Sequence, residues 1–133
     1  MQVIIHENEN GGVSVTVPTG ELSIEAVKTK DTPSGSIIVD SDTLPNSDND
    51  FFDAWELSNG SVTVNLDKAK AITKTRLRAE REPLLQAQDV LFQRALESSA
   101  DTTAIVAEKQ RLRNVTQLVD PVTTLDGLRA LKA

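Results

Sequence analysis

His6 is the single histidine of the chain, and it closes a short β-branched run beside Glu7. A catalytic triad or a histidine-rich metal site would need partners that the chain lacks, so His6 reads as a surface residue. There is no cysteine, which removes disulfides, thiolate zinc sites and cysteine nucleophiles together. Asp40-x-Asp42 and Asp48-x-Asp50 place carboxylates at alternate positions, as calcium loops do. They lack the central glycine and the closing glutamate of such a loop, so a solvated acidic loop is expected instead. Gly11-Gly12 and Gly60 fall in turns between strands, and no glycine motif follows a strand and opens a helix to cradle phosphate. Arg76, Arg78 and Arg81 accompany Lys68, Lys70 and Lys74 along one helical segment. Aromatic residues for base stacking are missing there, and Glu80 and Glu82 dilute the charge. A salt-bridged helix surface, or a dock for an acidic partner, is the expected role of these bases.

The chemistry-bearing residues thus assemble into no catalytic site, no metal site and no cofactor site, and the chain is not expected to be an enzyme. The totals agree. The formal net charge is −6, against a general phosphate-binding surface, so nucleic acid is not an expected partner. Acids crowd into residues 40–53 and bases into 68–81. No apolar run approaches the roughly 20 residues that span a bilayer, and the first residues do not read as a signal peptide. Aromatic residues make up only 3%, so the core must be built from Val, Ile, Leu and Ala.

The elements that position these residues fall into two parts. Val3-Ile4-Ile5 and the alternating Val13-Ser14-Val15-Thr16-Val17 flank a polar, glycine-rich turn and predict a hairpin. Ser23 is a helix cap before Ile24-Glu25-Ala26-Val27-Lys28, a helix of about two turns that Pro33 and Gly35 stop. Ser36-Ile37-Ile38-Val39 is a further strand. Residues 40–53 predict an exposed loop with a turn near Pro45-Asn46. Ser58-Asn59-Gly60 joins Ala54-Trp55-Glu56-Leu57 to Ser61-Val62-Thr63-Val64-Asn65, a strong hairpin signal because Asn and Gly accept positive φ. Pairing the faces of Trp55 with Leu57 and Val62 with Val64 would bury the only tryptophan.

After Leu66 the period changes from two to seven. Leu77, Leu84 and Leu91 recur every seven residues, Ala87 and Ala95 fill the same side, and Leu85, Phe92 and Leu96 widen the stripe. Pro83 either kinks this helix or restarts it. Ser98 to Asp101 is a turn, and Asp101 or Thr102 caps a helix carrying Ile105, Leu112 and Val119, which Pro121 ends. Residues 124–131 supply one or two last helical turns. The expected fold class is α+β. A small N-terminal antiparallel β part (hairpins plus a short helix, residues 1–66) precedes a C-terminal antiparallel αα-hairpin with a short terminal helix (67–133). The stripe either seals the hairpin or leaves part of itself for a partner. Trp55, Leu77, Leu84, Leu85, Leu91, Phe92 and Leu96, with Arg76 and Arg81, are the candidate partner-binding residues.

One resemblance covers most of the chain. Trp55 to Asn65 followed by Lys68-Ala-Lys-Ala-Ile72, Leu77-Arg-Ala-Glu-Arg-Glu-Pro-Leu-Leu85, Asp89-Val90 with Phe92, and Arg94-Ala-Leu-Glu97 carry it. Ala104-Ile105, Lys109-Gln110, Leu112-Arg113 and Val115-Thr116 continue it. Together they resemble the small tail-fibre assembly chaperones and tail accessory proteins of tailed bacteriophages. The resemblance implies binding to a tail-fibre or baseplate protein by protein–protein contacts, in the host cytoplasm during virion assembly. A structural component retained in the virion tail and a host-directed regulatory protein are the alternatives. A homo-oligomer is a further expected assembly; a membrane partner is not.

Overall fold

The computed structural model describes all 133 residues. The chain divides into two compact units, Met1–Ala69 and Lys70–Ala133, close to the break expected after Leu66. The fold is α+β, with the strands in the first unit and mostly helix in the second.

In the first unit, β1 (Gln2–Glu7) is the centre of a three-stranded sheet, with β2 (Val13–Thr16) and β3 (Ile37–Asp40) antiparallel on either side. Ile5 stands opposite Val15 on one side and Ile37 on the other. Side chains alternate across a strand, so Val3 and Ile5 share a face. With Val13 and Trp55 they form a fully buried cluster, against which Leu44, Phe52, Leu57 and Val62 pack. Ile4 points to the opposite face and is also fully buried. Helix α1 (Ile24–Asp31) packs against β1 and β3 and contributes the buried Val27. Its start is fixed as expected: the Ser23 hydroxyl accepts the Ala26 N–H at 3.3 Å.

The hairpin of β4 (Trp55–Ser58) and β5 (Ser61–Val64) forms in the expected register, Trp55 opposite Val64 and Leu57 opposite Val62. Asn59 and Gly60 both take positive φ, 51° and 78°, the two-residue turn whose twist matches the strands.

Residues 41–54 correct the expectation of an exposed loop. They fold into 3₁₀ turns over Ser41–Thr43 and Asn46–Ala54. The second segment is kinked at Asp48 and Phe51, and Phe51 and Ala54 stand one turn apart after the kink. Both are buried. The same turn supplies the Asp48 carbonyl, which accepts the Trp55 indole N–H at 3.2 Å. The acidic residues are the wet face of a folded segment.

Helix α2 runs unbroken from Leu66 to Glu97, 32 residues, with Pro83 inside. Of the two readings of Pro83, a kink within one helix or a restart, the helix is continuous and does not restart. Proline has no N–H to offer the Ala79 carbonyl. The glycine-free flanks are rich in Ala, Leu, Arg, Glu and Gln, and they carry the helix through that loss. Its first turn is capped by Asn65, whose side-chain oxygen accepts the Lys68 N–H at 3.0 Å.

Helix α3 (Thr103–Arg113) is shorter than expected. It ends before Asn114, and Val115–Val119 continue as 3₁₀ turns. Asparagine and the β-branched pair Val115-Thr116 weaken helix propagation there. Helix α4 (Leu125–Ala130) follows, with the Thr124 hydroxyl accepting the Gly127 N–H.

Candidate interaction surface

The second unit is an antiparallel helical hairpin, and the pairing of its polar contacts shows the direction. Asp89 meets Lys109 at 2.7 Å, Arg81 donates to the Arg113 carbonyl at 2.8 Å, and Lys74 meets Asp120 at 2.8 Å. Positions fall along α2 as they rise along the returning chain. Lys70 adds a bond to the Asp120 carbonyl at 2.9 Å, and Arg76 reaches the Leu128 carbonyl at 3.0 Å. The Asp120 carboxyl is held below the ordinary aspartate range, first by its bond to Lys74 and then by the charges of Lys74 and Lys70.

Burial is uneven along this hairpin. Near the α2 start of the unit, Thr73 and Leu77 are buried, and so are Leu112, Val115, Val119 and Leu128 of the returning chain. Beyond Leu77 on α2 only Ala95 is buried. Five of the nine exposed large apolar residues of the chain lie between positions 84 and 106: Leu84, Val90, Leu91, Leu96 and Val106. Two helices have only two stripes to share. Once α4 and the 3₁₀ turns no longer cover α2, part of its wide stripe faces solvent.

The expected partner-binding residues therefore separate into three groups. Leu84, Leu91 and Leu96 are exposed, and Leu85 and Phe92 are half-buried, which leaves all five accessible in the distal hairpin. Trp55 and Leu77 are corrected: each is buried in the core of its own unit and offers no surface to a partner. Trp55 is enclosed because the segment before it folds over its ring, with Phe52 4.8 Å away between ring centroids. Arg76 and Arg81 are partly exposed and also tie the unit together. Their guanidinium groups hold carbonyls of the returning chain, and Arg76 also binds Glu80 at 2.6 Å. Sequence reasoning passed over Val90 and Val106 as partner-facing positions. Neither lies on a heptad of its helix, and only the three-dimensional arrangement shows both facing solvent.

The remaining candidates for chemistry do not converge. His6 is half-buried rather than at the surface, with Nδ1 shielded from water and lacking a hydrogen-bond partner. Its neighbour across β2 is Ser14. No three His, Asp or Glu side chains come together as a metal site. Asp40 is occupied by the Asp42 N–H at 3.0 Å and the Met1 amino group at 3.6 Å. These contacts, the backbone bond first, hold its carboxyl below the ordinary range. Two clefts of about 290 Å³ open on the first unit, one lined by Asn8, Asn10, Phe52 and Asp53, the other by Val39, Leu44, Ser61 and Val62. No helix is long and apolar enough to cross a membrane.

Comparison of the chain with protein-family models, with curated proteins and with solved structures finds no match.

Proposed function

We propose that this chain is a tail-fibre assembly chaperone or accessory protein of a tailed bacteriophage, acting on a fibre or baseplate protein in the host cytoplasm. It works by contact alone. The observation that carries the reading is the cluster of exposed aliphatic side chains on the distal hairpin, Leu96 at 54 % and Val106 at 49 % among them. Single exposed leucines are ordinary; five within 23 positions of a helix pair form a surface that another protein can cover. The resemblance over Trp55 to Thr116 supports the choice of partner. Fibre chains expose apolar surface and unpaired strand edges before they trimerise, and both drive aggregation. An amphipathic hairpin that covers such surface keeps the fibre soluble until its own subunits replace it.

The test is co-expression with the tail-fibre protein proposed as its partner, reading the yield of soluble fibre trimer. Leu96→Glu with Val106→Glu keeps the buried core intact and removes the apolar contact. Loss of a central contact costs about 2 kcal/mol, roughly thirtyfold in affinity, so the variant pair should leave the fibre in the insoluble fraction. Equal fibre solubility without this chain, or with the variant, ends the proposal. Stoichiometric presence in purified virions would replace the chaperone by a structural tail component.

A further inference from the structure

Along one side of α2 the chain carries Glu80, Leu84, Ala87, Leu91 and Arg94, at successive spacings of four, three, four and three. That alternation keeps the five on one stripe. Leu84 and Leu91 are 42 % and 45 % exposed, Ala87 and Arg94 are exposed, and Glu80 is partly so. The contacts to α3 leave from elsewhere on the helix. Phe92 and Asp89, which meet Lys109, lie roughly a quarter-turn or more around the axis from the stripe. The stripe is thus a second apolar seam with nothing on it.

Its order is what identifies the occupant. Read forwards it is acid, leucine, alanine, leucine, base; read backwards it is the same with the charges exchanged. Such a stripe complements itself only when turned end for end. With Ala87 against Ala87 of a second copy, each Glu80 faces the other copy's Arg94, and each Leu84 lies beside the other's Leu91. A parallel pair would set like charges together instead. Alanine at the crossing point lets the two helices approach closely. Glu80 already accepts Arg76, through one carboxylate oxygen, and the other retains acceptor capacity. We propose that two copies of this chain pair through antiparallel α2 helices centred on Ala87. The contact spans about 21 Å of helix, so the dimer is weak and reversible, in the micromolar range. The pairing takes up Leu84 and Leu91 of the exposed distal surface and leaves Leu96 and Val106 outside the seam, so its failure is read from different variants than failure of the fibre-binding proposal.

Sedimentation equilibrium of the full chain from about 1 to about 300 µM tests the pairing. The wild type should pass from monomer to dimer. Arg94→Glu alone and Glu80→Arg alone should each weaken dimerisation at least tenfold, about 1.4 kcal/mol, because each sets like charges face to face. An equimolar mixture of the two variants should dimerise again, since both contacts then join opposite charges. The register has its own readout, independent of the charge variants. The chain has no cysteine, so Ala87→Cys should form a disulfide-linked dimer under mild oxidation, and Glu82→Cys, more than a third of a turn around the helix from Ala87, should not. A wild type that stays monomeric over the range, charge variants that dimerise as the wild type does, a mixture that fails to recover, or equal cross-linking at both cysteine positions overturns the proposal.

Discussion

The Lys109 ammonium stands 4.9 Å from the centroid of the Phe92 ring, across the interface between α3 and α2. The same ammonium lies 2.7 Å from Asp89, and the lysine side chain is only 15 % exposed. One cation therefore serves a ring face and a carboxylate on the facing helix, in the part of the hairpin with the least buried surface. Lys109→Met keeps the aliphatic stem and removes the charge, and should lower stability by about 1 kcal/mol. Phe92→Ala removes the ring and should cost about 2 kcal/mol, below the range for fully buried rings because Phe92 is only half-buried. Urea unfolding followed by circular dichroism measures both. A Lys109→Met protein as stable as the wild type would show that the charge contributes nothing to the helix contact.

Trp55 reports on the first unit alone. It is 2 % exposed, with its indole N–H bonded to the Asp48 carbonyl. Its fluorescence should be blue-shifted in the native protein and quenched little by acrylamide. Trp55→Phe should cost about 1–3 kcal/mol, since it removes the indole bond to the Asp48 carbonyl as well as ring volume. Native emission at the wavelength of free tryptophan would contradict the enclosed ring.

Glu56 couples the β4–β5 hairpin to the start of α2. It accepts Lys68 Nζ at 3.0 Å and the Asn65 side-chain amide at 2.9 Å. The bond to Lys68 is the main reason its carboxyl is held below the ordinary value of 4.5, with the Asn65 bond and the Lys68 charge adding to it. A carboxyl whose folded value is depressed stabilises the fold above its unfolded pKa. That contribution fades as pH falls below about 4.5 and is gone once the pH has passed under the folded value. The melting temperature of the wild type should therefore drop more between pH 5 and pH 3 than that of Glu56→Gln (roughly the window in which glutamates titrate). Parallel curves for the two proteins would remove Glu56 from the acid response.

What could be read from the residues follows from how local each signal is. Ser23 and Asn59-Gly60 specify a cap and a turn within four residues, and both form as expected. The long leucine repeat likewise forms one helix, since 3.6-residue periodicity needs no distant partner. The acidic segment misled because composition describes its wet side; Phe51 and Ala54 are buried at threefold spacing in a segment too short for a periodic pattern to stand out. The carbonyl contacts of Arg76 and Arg81 were illegible for a different reason. An arginine on a helix surface has the same sequence signature whether it binds a partner or a carbonyl of its own chain, and only the fold supplies Leu128 and Arg113 as acceptors. Leu77 and Leu84 share one heptad, yet one is buried and the other open. The difference lies in how far the returning chain and α4 cover α2, a long-range property that no window on α2 contains.

The end of α2 offers a change that should add stability rather than remove it. The Ala100 N–H bonds the Ala95 carbonyl at 2.8 Å and the Ser99 N–H bonds the Leu96 carbonyl at 3.2 Å, the paired closure that ends a helix on a left-handed residue. Ser99 takes that position with φ at 53°. Serine has a Cβ that crowds the backbone in this region, and glycine does not. Ser99→Gly relieves the crowding but loosens the unfolded chain, and the two effects oppose each other. The relief of about 1 kcal/mol exceeds the added freedom, so the net gain should be about 0.5 kcal/mol. Ser99→Val, with a branched Cβ, should lose about 1 kcal/mol at the same place. Thermal melts of the two variants against the wild type should order them glycine, serine, valine. Any other order would mean that Ser99 does not hold the left-handed conformation in solution, and that α2 and α3 are joined by a different turn.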